Sequence, residues 1–247
     1  AFDDENVMRE QGRESDFVDP IADIDTINLE LILADLESVN KRYARVEKIA
    51  RTQKDKDAIL EFKVLEKTKP VLEAGKSART VDFEEDELKV VKSLFLLTTK
   101  PVLYVANVSE DEVGEPDNID YVKQIRDFAA TENADTVVIS ARVEEEIAEL
   151  EDDEKAEFLE AIGLTESGVD KLTQVAYHLL GLGTYFTAGE KEVRAWTFKR
   201  GIKAPGAAGI IHSDFEKGFI KAEVMSYNDL VNAGSELKVR ELGKARI

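Results

Sequence analysis

Asn107 ends the run "VLYVAN", with Val108 and Glu110 just beyond it, and Ser140 ends a second run, "TVVIS", with Ala141 and Arg142 just beyond. An asparagine directly after a buried strand can brace the neighbouring backbone, and a carboxylate three residues on can face the edge of a purine. Guanine offers paired N–H donors that suit a carboxylate, whereas adenine offers a ring-nitrogen lone pair that a carboxylate repels. The guanine-reading pattern Asn-Lys-x-Asp is here Asn107-Val108-Ser109-Glu110, without the lysine and with a longer acid. Taken alone, Asn-x-x-Glu is equally what an ordinary turn contains. Ser140-Ala141-Arg142 resembles a Ser-Ala-Lys loop bracing a base from behind, and two such loops on one sheet edge give the base-binding reading equal weight.

Gly75-Lys76-Ser77 is the one stretch that ends like a phosphate-gripping loop. Such a loop needs a glycine where Pro70 stands and a strand feeding it. Proline has no N–H to donate and a fixed φ. The stretch reads as a decoy, with Gly75 the left-handed cap of a helix. A second candidate is basic: Lys41, Arg42, Arg45, Lys48, Arg51, Lys54 and Lys56 face only Glu47 and Asp55. We expect Arg42, Arg45, Lys48, Arg51, Lys54 and Lys56 to contact RNA phosphates, with Arg42, Arg45 and Arg51 projecting together. Such contacts position RNA without reading its sequence. The bland alternative is a solvated face of a coiled hairpin. His178 reads as a packed core or interface residue, His212 near Asp214 as a structural hydrogen-bonding partner before part of a binding surface, and Trp196 as half-buried core before a stacking surface. The two histidines lie too far apart in sequence to suggest a metal cluster, and the ten acidic residues between Glu144 and Glu160 read as a solvated helix face or loop.

These residues need a scaffold. Leu29, Ile32, Leu36, Val39, Tyr43, Val46 and Ala50 recur in steps of three and four, the seam of a helix packed along another. Ala58, Phe62, Leu65, Thr68 and Leu72 supply the return helix of an antiparallel hairpin whose tip lies near 51–56. A further helix is expected over Glu84 to Leu97. Strand, helix and strand then follow within 40 residues, with Asp117 or Asn118 capping a helix that carries Ile119, Val122, Ile125, Phe128 and Ala129. Such a crossover makes the strands parallel, with their loops on the ligand-binding edge. Helices occupy 144–180. After a Gly181-Leu182-Gly183 linker come strands at 192–198 and 218–225, a short helix near 207–212, and a helix start at Ser226.

The chain has 247 residues, 43% hydrophobic, with no cysteine and a formal net charge of −19. That length allows one large domain or a few small ones. Absence of cysteine excludes disulfides and thiolate chemistry. The negative charge opposes broad nucleic-acid binding apart from the local basic excess. The chain opens on Ala1 and stops at "ELGKARI", so we expect it to be an internal piece of a longer protein.

The stretches "AFDDENV", "DPIADIDTINLELILADLE", "KPVLYVANVSE", "VVISAR", "LGLGTYFTAGEKEVRAWTF" and "AAGIIHSDFEKGFIKAE" resemble the YchF subfamily of Obg-like P-loop nucleotidases over essentially the whole chain. The resemblance implies an α/β fold: part of a P-loop-type parallel sheet, interrupted by a helical coiled-coil hairpin and followed by a β-grasp TGS domain. It implies a first nucleotide-binding part at 1–28, the hairpin insertion at 29–97, a base-recognition part at 98–182 and the TGS domain at 183–247. Members are ribosome-associated and prefer ATP to GTP. By this resemblance Asn107, Val108 and Glu110 contact the adenine, and Ser140, Ala141 and Arg142 line its far side. The phosphate loop and the Mg2+ ligands belong upstream of residue 1 and the closing TGS strand beyond residue 247. No catalytic or metal residue is therefore expected in this chain, which alone should be inactive. The implied whole is a cytoplasmic, monomeric ATPase that regulates translation or stress responses, with ATP and the ribosome or its RNA as partners, and neither DNA nor membrane. The competing readings are a non-catalytic, nucleotide-switched adaptor and a plain helical interaction scaffold.

Overall fold

The computed structural model describes residues 19–52 and 55–247. Helix α1 runs from Pro20 to Thr52 and α2 from Lys56 to Glu73. Each start is set by an aspartate: Asp19 accepts from the Ala22 N–H at 3.1 Å, and Asp55 from Asp57 and Ala58 at 2.9 and 3.2 Å. Such caps satisfy amides that the helix leaves orphaned. Ile32, Val39 and Val46 from α1 close on Leu65 and Leu72 from α2, with Leu36, Tyr43, Ala58 and Phe62 packed at the margin. Leu29, expected in this seam, is 51% exposed. Tyr43 and Phe62 meet with ring centroids 5.1 Å apart, and the Lys69 ammonium lies 4.9 Å from the Tyr43 centroid.

The glycine of the Gly-Lys-Ser stretch ends α2. Gly75 has φ 71° and donates to Leu72, while Lys76 donates back to Val71 at 3.0 Å. This double bond pattern closes a helix C-terminus. Pro70 lies inside α2, so no strand feeds a phosphate loop, and the helix end presents carbonyls, which repel phosphate.

The helix expected over Glu84 to Leu97 is shorter: α3 spans Leu88–Leu94 and stops at left-handed Phe95. What precedes it is organised around Glu87. That fully buried carboxylate receives the Glu84 N–H at 2.9 Å and lies 2.7 Å from Lys67 Nζ and 3.1 Å from Lys63 Nζ. Burial opposes its ionisation, yet the bonds from Lys67 and the Glu84 amide and the charge of nearby Lys63 outweigh burial and hold its pKa at about 2, against an ordinary 4.5. A depressed carboxyl pKa stabilises the fold above the unfolded value, and that stability is lost as pH falls through the folded value. Urea titrations between pH 5 and 2 should therefore show about 2–3 kcal/mol lost through this group. Glu87→Gln should start less stable at pH 7 and lack that component; equal pH slopes for the two proteins would refute the assignment.

Strands β1 (Leu103–Asn107) and β2 (Asp135–Ile139) pair in parallel, Asn107 opposite Ile139. Helix α4 (Asp120–Thr131) crosses between them. Its cap is Ile119 rather than Asp117 or Asn118, because Pro116 starts a separate 3-10 turn over Pro116–Asn118. Val122, Ile125 and Ala129 of α4 are buried. Beneath the same layer lie Ala106, Val108, Val143 and Ile147. Helices α5 (Ala141–Glu149), α6 (Asp152–Ala161) and α7 (Gly168–Leu179) complete this part.

The chain divides into two compact units at Leu180 and Gly181. In the second, β3 (Leu182–Ala188) pairs antiparallel with β4 (Val193–Lys199). The expected linker thus opens a strand that the sequence reading missed. A Cβ on Gly183 would lie 2.8 Å from the tip of the Phe198 ring, so a larger residue there would push the ring aside. Helices α8 (Ala204–Ile211), α9 (Ser213–Lys217), α10 (Tyr227–Ala233) and α11 (Glu236–Glu241) follow. Ser226 caps α10 through the Asp229 N–H at 3.1 Å. The strand expected at 218–225 is replaced by one antiparallel bridge, Val224 to Arg246. No named strand lies beside it among the described residues, so an alternating sequence alone cannot make a ladder.

Candidate nucleotide-base site

β1 and β2 end side by side, and the loop after one is stitched to the helix after the other. Asn107 Oδ1 accepts the Ala141 N–H at 2.8 Å, and the Val108 N–H donates to the Ile139 carbonyl at 2.8 Å. The Val108 side chain is 1% exposed and belongs to the core. With its N–H committed, Val108 has only its carbonyl to offer an exocyclic amino group.

Ser140, Ala141 and Arg142 do not form a loop: Ser140 stands just before α5 without a side-chain capping bond, and Ala141 and Arg142 make the first turn of the helix. Ser140 is 1% exposed, and its Oγ has no hydrogen-bond partner among the described residues. Arg142 lies 3.7 Å from Glu110 and 3.6 Å from Glu146, with 73% of its side chain exposed. The structure thus brings together the two stretches singled out by sequence. Asn107 and Ala141 are bonded, Glu110 and Arg142 are paired at the rim, and Ser140 lies beneath.

Three supporting residues escaped the sequence reading. Glu112 accepts from the Ser109 hydroxyl and the Tyr121 hydroxyl at 2.9 Å each, holding the turn after Asn107. Burial pushes its pKa up, but the bonds from Ser109 and Tyr121 prevail and leave it lowered. Glu144 accepts the Gly168 and Val169 N–H groups at 2.7 and 3.2 Å, clamping the start of α7 onto α5. Tyr104, on β1, donates to Glu132 at 2.7 Å; burial first, then Glu132, pushes its pKa up to about 12. Serine, tyrosine and acid at short spacing around Asn107 were the available signal for Glu112. The Glu144 contact, 24 residues long, had none.

The basic candidates are arranged differently from expectation. On a helix each step of three falls about 60° short of a turn, so residues 42, 45, 48 and 51 sweep about half-way round α1. Arg42 pairs with Glu61 of α2, while Arg51 pairs with Glu47 at 2.8 Å and lies 5.9 Å from the Phe62 ring centroid. They flank the hairpin seam rather than project together. Arg45, Lys48 and Lys56 are exposed and have no ion pair among the described residues; Lys54 lies outside the described residues. His178 is exposed on α7 rather than packed. His212 accepts the Asp214 N–H at 3.2 Å as the cap of α9. Trp196 is half-buried, donating to Thr187 at 2.9 Å beneath the Arg194 guanidinium, 4.2 Å from its centroid.

Comparison with known proteins agrees with this architecture. Residues 182–247 match the family model YchF-GTPase_C, described as a protein of unknown function (DUF933). The chain is 58% identical over 247 residues to a Bacillus subtilis protein named ribosome-binding ATPase YchF, covering 100% of this chain and 66% of that protein. It is 37% identical over 248 residues to Obg-like ATPase 1 of Caenorhabditis elegans, covering 100% of this chain and 61% of that one. The structure of the Schizosaccharomyces pombe YchF GTPase superposes with a TM-score of 0.83 at 35% identity, over 99% of this chain and 65% of that one. The chain spans just under two-thirds of the length of these relatives. With a relative this similar along the whole of this chain, a fold shared with a solved member and a matching C-terminal family model, the chain belongs to the YchF family.

Proposed function

We propose that this chain carries the base-recognition part of a ribosome-associated nucleotidase that binds and hydrolyses ATP, and GTP less well. The observation that carries the reading is the bond from the Ala141 N–H to Asn107 Oδ1. It joins the ends of two parallel strands at the edge where α/β sheets take ligands. Asn107, the Val108 carbonyl and Glu110 would face the adenine from one side, with Ser140, Ala141 and Arg142 on the other. The lysine missing at Val108, and a longer acid at Glu110 that lies 3.7 Å from Arg142, weaken the guanine fit, and relatives named as ATPases support adenine. The printed name "ribosome-binding" of the Bacillus subtilis relative supports the ribosome as partner, with Arg42, Arg45, Lys48, Arg51, Lys54 and Lys56 as RNA-contacting candidates.

In this reading residues 1–28 and 98–182 belong to the nucleotide-binding domain, 29–97 form the helical insertion, and 183–247 form a TGS domain of β-grasp type. The whole is a cytoplasmic monomer acting as a translation or stress regulator. Magnesium accompanies ATP in such chemistry. Among the described residues no group of three or more His, Asp or Glu is placed to hold a metal ion.

Turnover of ATP and GTP by the full-length protein, with and without magnesium and ribosomes, tests the proposal. ATP should be hydrolysed faster than GTP, and ribosomes should co-sediment with the protein. Tight ATP binding without turnover would leave the nucleotide-switched adaptor as the function.

A further inference from the structure

Phe95 is an aromatic side chain that the fold holds out in solvent. It is 82% exposed and sits at φ 53°, ψ 32°, just after the last residue of α3. Non-glycine residues seldom occupy this left-handed region, and bulky ones least of all. Its neighbours explain the posture but not the residue. Leu96 is 3% exposed in the hairpin core and Leu94 packs against that core. A left-handed step between two anchored leucines turns Phe95 outward. Glycine would make the same turn without strain. The ring therefore adds nothing to the fold visible among the described residues.

Beside this ridge runs a groove of about 350 Å³, floored by Val39, Leu94 and Leu96 and edged by Lys41, Arg42 and Arg45 of α1. Lys41 and Arg42 are paired with Glu37 and Glu61. Arg45 is exposed without an ion pair among the described residues, as is Lys92, whose carbonyl accepts the Phe95 N–H at 3.4 Å. One exposed cation three residues before a presented aromatic ring, and another on the groove lined by the ring's two neighbours, on a chain of net charge −19, match one kind of ligand: a polyanion with flat, unpaired bases. Base–aromatic stacking with phosphate neutralisation alongside is how single strands are held.

We propose that Phe95 stacks on an unpaired base of RNA, with Arg45 and Lys92 neutralising the adjoining phosphates. This rests on the ribosome-association reading and names the form of RNA taken there. The test uses the full-length protein with a fluorescein-labelled 12-nucleotide mixed-sequence single-stranded RNA and its blunt duplex. Phe95→Ala should weaken single-strand binding by about 5- to 100-fold and leave duplex binding within about twofold, since a paired base has no free face. Phe95→Trp should retain both, and Arg45→Glu with Lys92→Glu should weaken both. Phe95→Gly, which keeps the left-handed turn, should reproduce the alanine result with unchanged thermal unfolding. Unaltered single-strand binding by Phe95→Ala, beside a loss in the charge-reversed variant, would overturn stacking and leave RNA association standing. Binding of neither RNA by the parent protein would overturn both. Loss of ribosome co-sedimentation by Phe95→Ala with RNA affinity intact would make the ring's partner an apolar protein surface, which also overturns the proposal.

Discussion

Replacing Asp35 by alanine is expected to cost about 3–5 kcal/mol, far beyond an ordinary surface change. Asp35 lies mid-way along α1 but is only 3% exposed. One carboxylate oxygen accepts the Leu97 N–H at 2.8 Å, and the other accepts the Thr98 N–H and hydroxyl at 2.7 Å each. Thr98 in turn accepts the Ala78 N–H at 2.9 Å. One carboxylate thus ties the hairpin helix to both segments that lead back towards β1. Alanine leaves the buried Thr98 amide and the part-buried Leu97 amide without acceptors, each costing up to about 1–3 kcal/mol. Asparagine is no remedy, because its NH2 would face donors; at least about 2 kcal/mol should go there too. Thr98→Val removes only the hydroxyl link and should cost less than either. Urea unfolding at pH 7 gives these differences directly, and the melting temperature of Asp35→Ala should fall by roughly 10 °C. A loss below about 1 kcal/mol would mean that water reaches these amides and that the carboxylate does not hold the hairpin.

That tie marks the limit of what could be read along the chain. The hairpin was legible because Ile32, Val39 and Val46 recur at the heptad interval and face Leu65 and Leu72. The parallel strand pair was legible because two short β-branched runs flank an amphipathic helix. Asp35 was not, since a lone acid on a helix looks like a solvated residue until its partners 62 and 63 positions away are known. Glu87 hid in an acidic stretch for the same reason. Strand β3 was missed because Gly181 and Gly183 at its start resemble a linker, although Gly183 lies within the strand against the tip of the Phe198 ring. The converse failure came at 218–225, where a strand was expected but only Val224 pairs. Local pattern reports what a segment can become; pairing depends on what lies next to it.

In the base site, both stretches were legible and their bond was not. Asn107 and Ser140 stood out by following apolar runs, but sequence placed Ala141 and Arg142 in a loop, whereas they open α5. The difference changes the chemistry. As part of the first helical turn, the Ala141 N–H is an orphan donor that Asn107 satisfies. The basic patch shows the opposite limit. Spacing by three looked like one face, yet it drifts around the helix axis, and acids on the same hairpin claim Arg42 and Arg51.

Asn107→Ala should lower the affinity of the full-length protein for ATP by about 30-fold or more, with a stability loss of only about 1 kcal/mol. Two effects combine. The Ala141 N–H loses its 2.8 Å acceptor, which loosens the join between the β1 loop and α5, and the base loses a side chain that would touch it. Asn107→Asp separates them. A carboxylate still accepts from Ala141, so the join and the stability should be kept. The amide N–H2, which makes no bond to protein among the described residues, is replaced by an acceptor that cannot donate to a ring nitrogen. If Asn107 only braces the loop, Asn107→Asp will bind ATP like the parent. If it also contacts the base, Asn107→Asp will bind as weakly as Asn107→Ala while unfolding like the parent. Calorimetric titration of ATP, paired with thermal unfolding of each variant, distinguishes these outcomes. Unchanged affinity in Asn107→Ala would place the adenine elsewhere and remove this strand edge as the base site.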